Sequence, residues 1–134
     1  MTLTCYLLYY SLNFFINYML ISYKDLKVWQ KSILLVRNIY GLSRQLPAFE
    51  RYILCSQMLR SSISISSNIA EGYGRQGKAE YLRFLRIALG SSRELETQII
   101  ICKQEYQSLD YTETEVILEE IQKMLWVLIR NIEQ

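Results

Sequence analysis

Between residues 78 and 107 the side chains Tyr81, Leu85, Ala88, Ser92, Leu95, Ile99, Cys102 and Tyr106 recur at alternating spacings of three and four, over eight positions without a break. That alternation keeps one face of an α-helix turned towards partner helices, whereas a strand would need a period of two. At 1.5 Å per residue the helix is roughly 45 Å long. Gly90 lies inside it at a cost of about 1 kcal/mol relative to alanine, which points to a packing reason for its presence.

Three further stretches carry the same period. In the first, Leu26, Trp29, Ile33, Val36 and Tyr40 form a seam, with a second stripe of Val28, Leu35, Ile39, Leu42 and Leu46 beside it. Pro47 ends that helix, because the residue before a proline is driven out of the α region. The second stretch, about Phe49 to Gly72, has its seam at Cys55, Met58, Ser62, Ile65 and Ile69, where the small residues let a neighbour approach closely. The fourth opens on Thr112 and Glu115, a spacing that predicts a capping box, and continues through Leu118, Ile121, Leu125, Leu128 and Ile132. Four helices with short links predict an all-α fold over residues 23–134, an antiparallel up-down four-helix bundle. Ile117, Met124, Trp126, Val127 and Ile129 make the fourth helix apolar over more than one core requires, as the second stripe does the first. Spare apolar faces on a small bundle predict a closed homo-oligomer.

The chain of 134 residues, 51% apolar with one proline and five glycines, has room for one packed domain. It contains no histidine, the commonest general base and metal ligand. Cys5, Cys55 and Cys102 are odd in number and far apart, so they predict buried thiols in a reducing, cytoplasmic setting rather than disulfides or a zinc site. No catalytic group, metal, cofactor or small-molecule substrate is expected. Residues 1–22 carry no charge. Four tyrosines, asparagines and hydroxyl residues dilute the hydrophobicity of that region, so it reads as an upstream extension, with Met19 the expected start, ahead of a membrane anchor.

Gly72, Gly74 and Gly77 spell G-x-G-x-x-G, the dinucleotide-binding pattern. A fingerprint of that kind needs a buried strand leading into its first glycine and a second parallel strand after the helix. Neither is available here, and a strand would have to bury Asn68 and Glu71. The glycines read as punctuation: Gly72 or Gly74 closes the second helix in a left-handed cap, and Gly77 occupies the turn before the third.

Arg60, Ser64, Asn68, Glu71 and Arg75 share the face of the second helix opposite its seam, with Glu71 and Arg75 spaced for an ion pair. This predicts a solvated or inter-subunit hydrogen-bonding stripe. On the third helix Arg83, Arg86 and Arg93 fall within an arc of about 80°, flanked by Glu80 and Glu94. Residues 24–50 hold five basic and two acidic side chains and residues 51–93 seven and two, while 110–134 hold two and six. Such a face is either a salt-bridged surface or, repeated around an oligomer, a field suited to nucleic acid.

The segments YKDLKVWQKS (23–32), SNIAEGYGR (67–75) and EYLRFLRIALGSSRELETQI (80–99) together resemble the small bacterial four-helix-bundle proteins encoded by intervening sequences in 23S ribosomal RNA genes. The resemblance covers residues 23–134. It implies an antiparallel four-helix bundle assembled as a homopentamer, without catalysis. It also implies a relation to the accessory proteins of diversity-generating retroelements, which bind nucleic acid and a reverse transcriptase through a basic surface. Asn68, Glu71 and Gly72 match the family signature as assembly residues, and Arg75, Arg83 and Arg86 match basic positions near it. The chain departs where relatives carry two adjacent basic residues, here Leu59 and Arg60, and where they carry a proline, here Ser66. The first departure lowers the charge of the surface.

The resulting expectation is a nucleic-acid-binding accessory protein that places Arg60, Arg75, Lys78, Arg83, Arg86 and Arg93 on RNA or DNA phosphates, with a reverse transcriptase as a partner. The alternative is a protein-interaction scaffold. An enzyme would have only Glu71, Glu94 and Glu96 as bases, with no nucleophile or metal to pair them.

Overall fold

The computed structural model describes residues 22–134. The expectations for the uncharged segment and for Met19 lie outside the described residues, Ser22 excepted. Among those residues there are four α-helices and no strand: α1 (Lys27–Gln45), α2 (Leu54–Tyr73), α3 (Lys78–Glu105) and α4 (Thr112–Glu133). Short 3-10 turns at Tyr23–Asp25 and Ala48–Tyr52 precede α1 and α2. Each helix packs on its neighbour in the chain, α4 closes back on α1, and α2 with α3 is the most extensive pair.

The core is built from the expected stripes of α2 and α3 and, on α4, from Leu118, Ile121 and Leu125 of the expected seam together with Ile117 and Ile129, which correct the reading of those two as surplus to one core. Met58, Ile65 and Ile69 meet Leu85, Leu95 and Cys102, with Ile121 and Leu125 behind them, all shielded from solvent. Serines fit this interior because each hydroxyl returns to a carbonyl of its own helix, as Ser62 does to Leu59 at 2.9 Å, Ser66 to Ile63 at 3.0 Å and Ser92 to Leu89 at 2.6 Å. A buried hydroxyl bonded in this way avoids the penalty of an unpaired polar group.

The expectation for α1 is corrected. The buried stripe is Val28, Leu35, Ile39, Leu42 and Leu46, whereas Ile33 and Tyr40 of the other stripe are exposed. Ser32 breaks the apolar run of the true core stripe, yet it is fully buried, with its hydroxyl donating to the Trp29 carbonyl at 2.6 Å. The start of α4 is also corrected. Tyr111 stands at the N-cap, so Thr112 and Glu115 are one position too late to form the predicted box. Asp110 instead accepts the Thr112 amide at 2.9 Å, and that amide holds the Asp110 carboxyl below the usual range. Tyr111 is fixed in the core, its hydroxyl reaching the carbonyls of Tyr106 and Cys102 at 2.9 and 3.1 Å. Cys55 and Cys102 are buried free thiols.

No described helix is long and apolar enough to cross a membrane.

Candidate nucleic-acid interface

Five of the six predicted basic positions, all but Arg60, lie beyond the end of α2. Gly74 ends α2 in ordinary right-handed backbone (φ −79°), so the left-handed cap expected at Gly72 or Gly74 is absent. The left-handed φ of +114° falls on Gly77, directly before α3. Gly72 serves a different purpose. It is buried in the last turn of α2, and a Cβ there would stand 2.7 Å from the Phe84 Cβ and 3.2 Å from the Tyr81 ring. Its missing side chain lets the two helices close on each other.

Around that contact lies a small mixed cluster. The Arg75 guanidinium pairs with Glu71 at 2.6 Å and lies over the Phe84 ring at 5.1 Å. Arg83 approaches the same ring at 5.9 Å and pairs with Glu80 at 3.7 Å. Tyr73 and Tyr81 meet edge to face at 6.3 Å. Burial, and secondarily Tyr73, push the Tyr81 phenol up. Arg75 and Arg83 are thus brought together, each half-satisfied by a carboxylate and an aromatic face.

The remaining predicted residues are spread out. Arg86 reaches Glu133 at the end of α4 at 2.6 Å, and Arg93 contacts Glu96 at 3.2 Å and the Gln122 amide oxygen at 3.3 Å. These two side chains lean towards α4. Glu94, expected as a partner of the arginines, accepts instead from Gln98 at 3.3 Å. Arg60 and Lys78 have no ion-pair partner among the described residues. Arg60 stands fifteen positions before Arg75, about 20 Å away along α2, and does not join the cluster.

Asn68 does not point away from the bundle as its place opposite the seam suggested. Its amide donates to the Ser64 carbonyl at 2.8 Å and hydroxyl at 3.0 Å, and the Ser64 and Ser91 hydroxyls meet at 2.8 Å across α2 and α3. Ser61 and Gln98 repeat the link at 2.6 Å. The middle of the polar stripe is therefore part of the α2–α3 joint. Leu59, at a family-departing position, packs partly into the core, and Ser66 at the other is buried.

Charges that the sequence reading passed over lie elsewhere. Arg37, Arg44 and Arg51 are exposed and take part in no ion pair among the described residues. The signal was present: residues 26–49 contain no acidic side chain to neutralise them. The described residues also place no group of three or more His, Cys, Asp or Glu side chains where it could hold a metal ion.

The family model for the 23S rRNA-intervening sequence protein matches residues 24–127, which takes in all of α1 to α3 and most of α4. The chain belongs to this family. The matched residues include the α2–α3 joint, where Asn68, Glu71 and Gly72 have the contacts described above. A crystal structure of a protein of unknown function from the S23 ribosomal protein family of Bacteroides thetaiotaomicron superposes with a TM-score of 0.66 at 28% identity, covering 77% of this chain and 95% of that one. No curated protein matches the sequence.

Proposed function

We propose that this member of the family is a non-enzymatic, homo-oligomeric four-helix bundle that binds RNA or DNA as an accessory factor, with a reverse transcriptase as a partner of the assembly. The observation that carries the reading is charge. Residues 24–93 hold twelve basic side chains against four acidic ones, and one of the four, Glu50, is buried. Copies of such a surface around a ring sum to a field that attracts polyphosphates. In that ring Arg60, Arg75, Lys78, Arg83, Arg86 and Arg93 meet phosphates. The ion pairs of Arg75, Arg83, Arg86 and Arg93 are all partly exposed, so a phosphate can replace each carboxylate at little cost.

An antiparallel up-down arrangement is supported by the pairs Ser61 with Gln98, Ser64 with Ser91 and Gly72 with Phe84, in which one number rises as the other falls. Assembly is supported by apolar surface left over where α1 begins and α4 ends, and the homopentamer is the stoichiometry the family resemblance implies. A groove of about 420 Å³ is lined there by Leu26, Val28, Met124, Val127 and Leu128, and Trp126 and Val127 are half exposed beside it. Glu71, Glu94 and Glu96 are each engaged by a neighbouring side chain, and the proposal gives them no catalytic role.

Two measurements test this. Light scattering should give five times the chain mass, and Trp126→Ala should reduce it. Fluorescence anisotropy with labelled RNA and DNA should show binding that weakens steeply with salt, by about 0.9 log units per phosphate contact on a duplex for each tenfold rise in salt. Arg83→Glu with Arg86→Glu should weaken it further. Absence of binding at low salt would overturn the nucleic-acid reading, and isolation with a dedicated protein partner free of nucleic acid would favour a scaffold.

A further inference from the structure

Three of the arginines without an ion pair among the described residues, Arg37, Arg44 and Arg51, form a line of their own. Arg37 and Arg44 are seven residues apart on α1, two turns less about 20°, so they project from the same face about 10 Å apart along the axis. Arg51 follows on the 3-10 turn Ala48–Tyr52. Two adjoining depressions join them. One, of about 510 Å³, has Arg37, Asn38, Tyr40 and Arg44 in its wall. The other, of about 470 Å³, has Tyr40, Ser43, Arg44 and Arg51. Tyr40 and Arg44 form the ridge between the two, with the guanidinium 5.8 Å from the ring centre.

Two features make this line receptive to an anion. Arg37, Arg44 and Arg51 are exposed, so binding need not break an existing pair. Between residues 26 and 70 the only acidic side chain is Glu50, whose carboxylate is turned inward onto the Tyr106 hydroxyl at 2.7 Å and the Leu54 amide at 3.3 Å.

The spacing and the aromatic residues select the kind of anion. A single compact phosphate cannot touch guanidiniums strung along two helical turns and a following loop, whereas a phosphodiester chain can. Tyr40 is 43% exposed within the line, and Phe49 and Tyr52, 65% and 83% exposed, flank Arg51. Rings interleaved with arginines suit unpaired bases, whose faces are open to stacking, better than a duplex, whose bases already stack on each other.

We infer that Arg37, Arg44 and Arg51, with Tyr40 and Tyr52, form a track for a single nucleic-acid strand, its phosphates on the guanidiniums and its bases against the rings. The inference rests on the nucleic-acid reading above and adds a second surface to it. The track runs along the second half of α1, from Arg37, about 14 Å along the axis from Val28 in the apolar groove, to Arg44, about 24 Å from it, and on to Arg51, so none of its residues lines that groove.

The test is anisotropy on the full chain with labelled oligo-dT and oligo-U strands of about 16 nucleotides and with a duplex of equal length. The wild type should prefer the single strands. Arg37→Gln, Arg44→Gln and Arg51→Gln combined should weaken single-strand binding at least about tenfold and reduce the salt slope by about 2, at about 0.7 for each phosphate no longer neutralised. Tyr40→Leu with Tyr52→Leu should weaken it at least about fivefold, the lower end for the removal of one stack, with the slope unchanged. Helical circular dichroism and oligomer mass equal to wild type qualify each variant, and single glutamine variants replace the triple one if it does not fold. If the glutamine and leucine variants bind like wild type while Arg83→Glu with Arg86→Glu does not, the track is wrong and the nucleic-acid reading stands. Preference for the duplex would also overturn the track. A wild type that binds none of the probes at low salt removes both readings.

Discussion

Gly72 and Phe84 face each other across α2 and α3 so closely that a single added carbon on the glycine would lie 2.7 Å from the phenylalanine Cβ. The obstructing atom belongs to the root of a side chain and cannot swing aside, so the helices themselves would have to separate. Gly72→Ala should destabilise the fold by about 1–3 kcal/mol, the cost of overpacking. The urea midpoint should fall with an unchanged slope; a midpoint at the wild-type value would mean that the joint opens without cost.

Gly90 behaves oppositely. The sequence suggested that a packing contact demands this glycine, but it is exposed in α3, and a Cβ built there meets nothing within 4 Å. Gly90→Ala should therefore stabilise the protein by about 0.5–1 kcal/mol through helix propensity and a less flexible unfolded chain. A raised thermal midpoint is the expected result, and a lowered one would show that another copy of the chain packs on this position.

These two glycines show which information was local. The seams of α2, α3 and α4 were legible because period alone fixes which side of a long helix is apolar. On α1 two stripes compete, and Ser32 disguised the true one, since its bond to the Trp29 carbonyl is invisible to a hydrophobicity pattern. The predicted capping box failed by one residue because Tyr111, anchored by its phenol in the core, set where α4 begins. The charge partners were the least legible part. Arg86 finds Glu133 47 positions away and Lys31 finds Glu120 89 positions away, distances that only the packed bundle supplies. The free arginines of α1 could have been read from the missing acids around them.

The ion pair between Arg86 and Glu133 is 56% and 36% exposed at its two ends. Solvent screens such a pair, so Arg86→Gln should change stability by no more than about 0.5 kcal/mol. Denaturation of this variant beside the wild type checks the expectation. A loss well beyond it would mean that α4 depends on this contact, and that binding defects at Arg86 would have to be separated from unfolding.

The Tyr106 hydroxyl donates to Glu50 at 2.7 Å, tying the end of α3 to the turn before α2. That bond, followed by burial and the negative charge of Glu50, pushes the phenol from 10.0 up to about 12. The folded chain then holds a proton that the unfolded chain releases near pH 10. The stabilisation is complete below the unfolded value and fades as pH rises through the folded one. Wild type should be more stable than Tyr106→Phe by a constant margin from neutrality to about pH 10, and the margin should shrink between about pH 10 and 12. Tyr111, whose phenol is also pushed up by burial, is present in both proteins and cancels in the comparison. Denaturant midpoints across that range provide the measurement, and a margin that stays level to the alkaline end would show that Tyr106 does not keep its proton for Glu50.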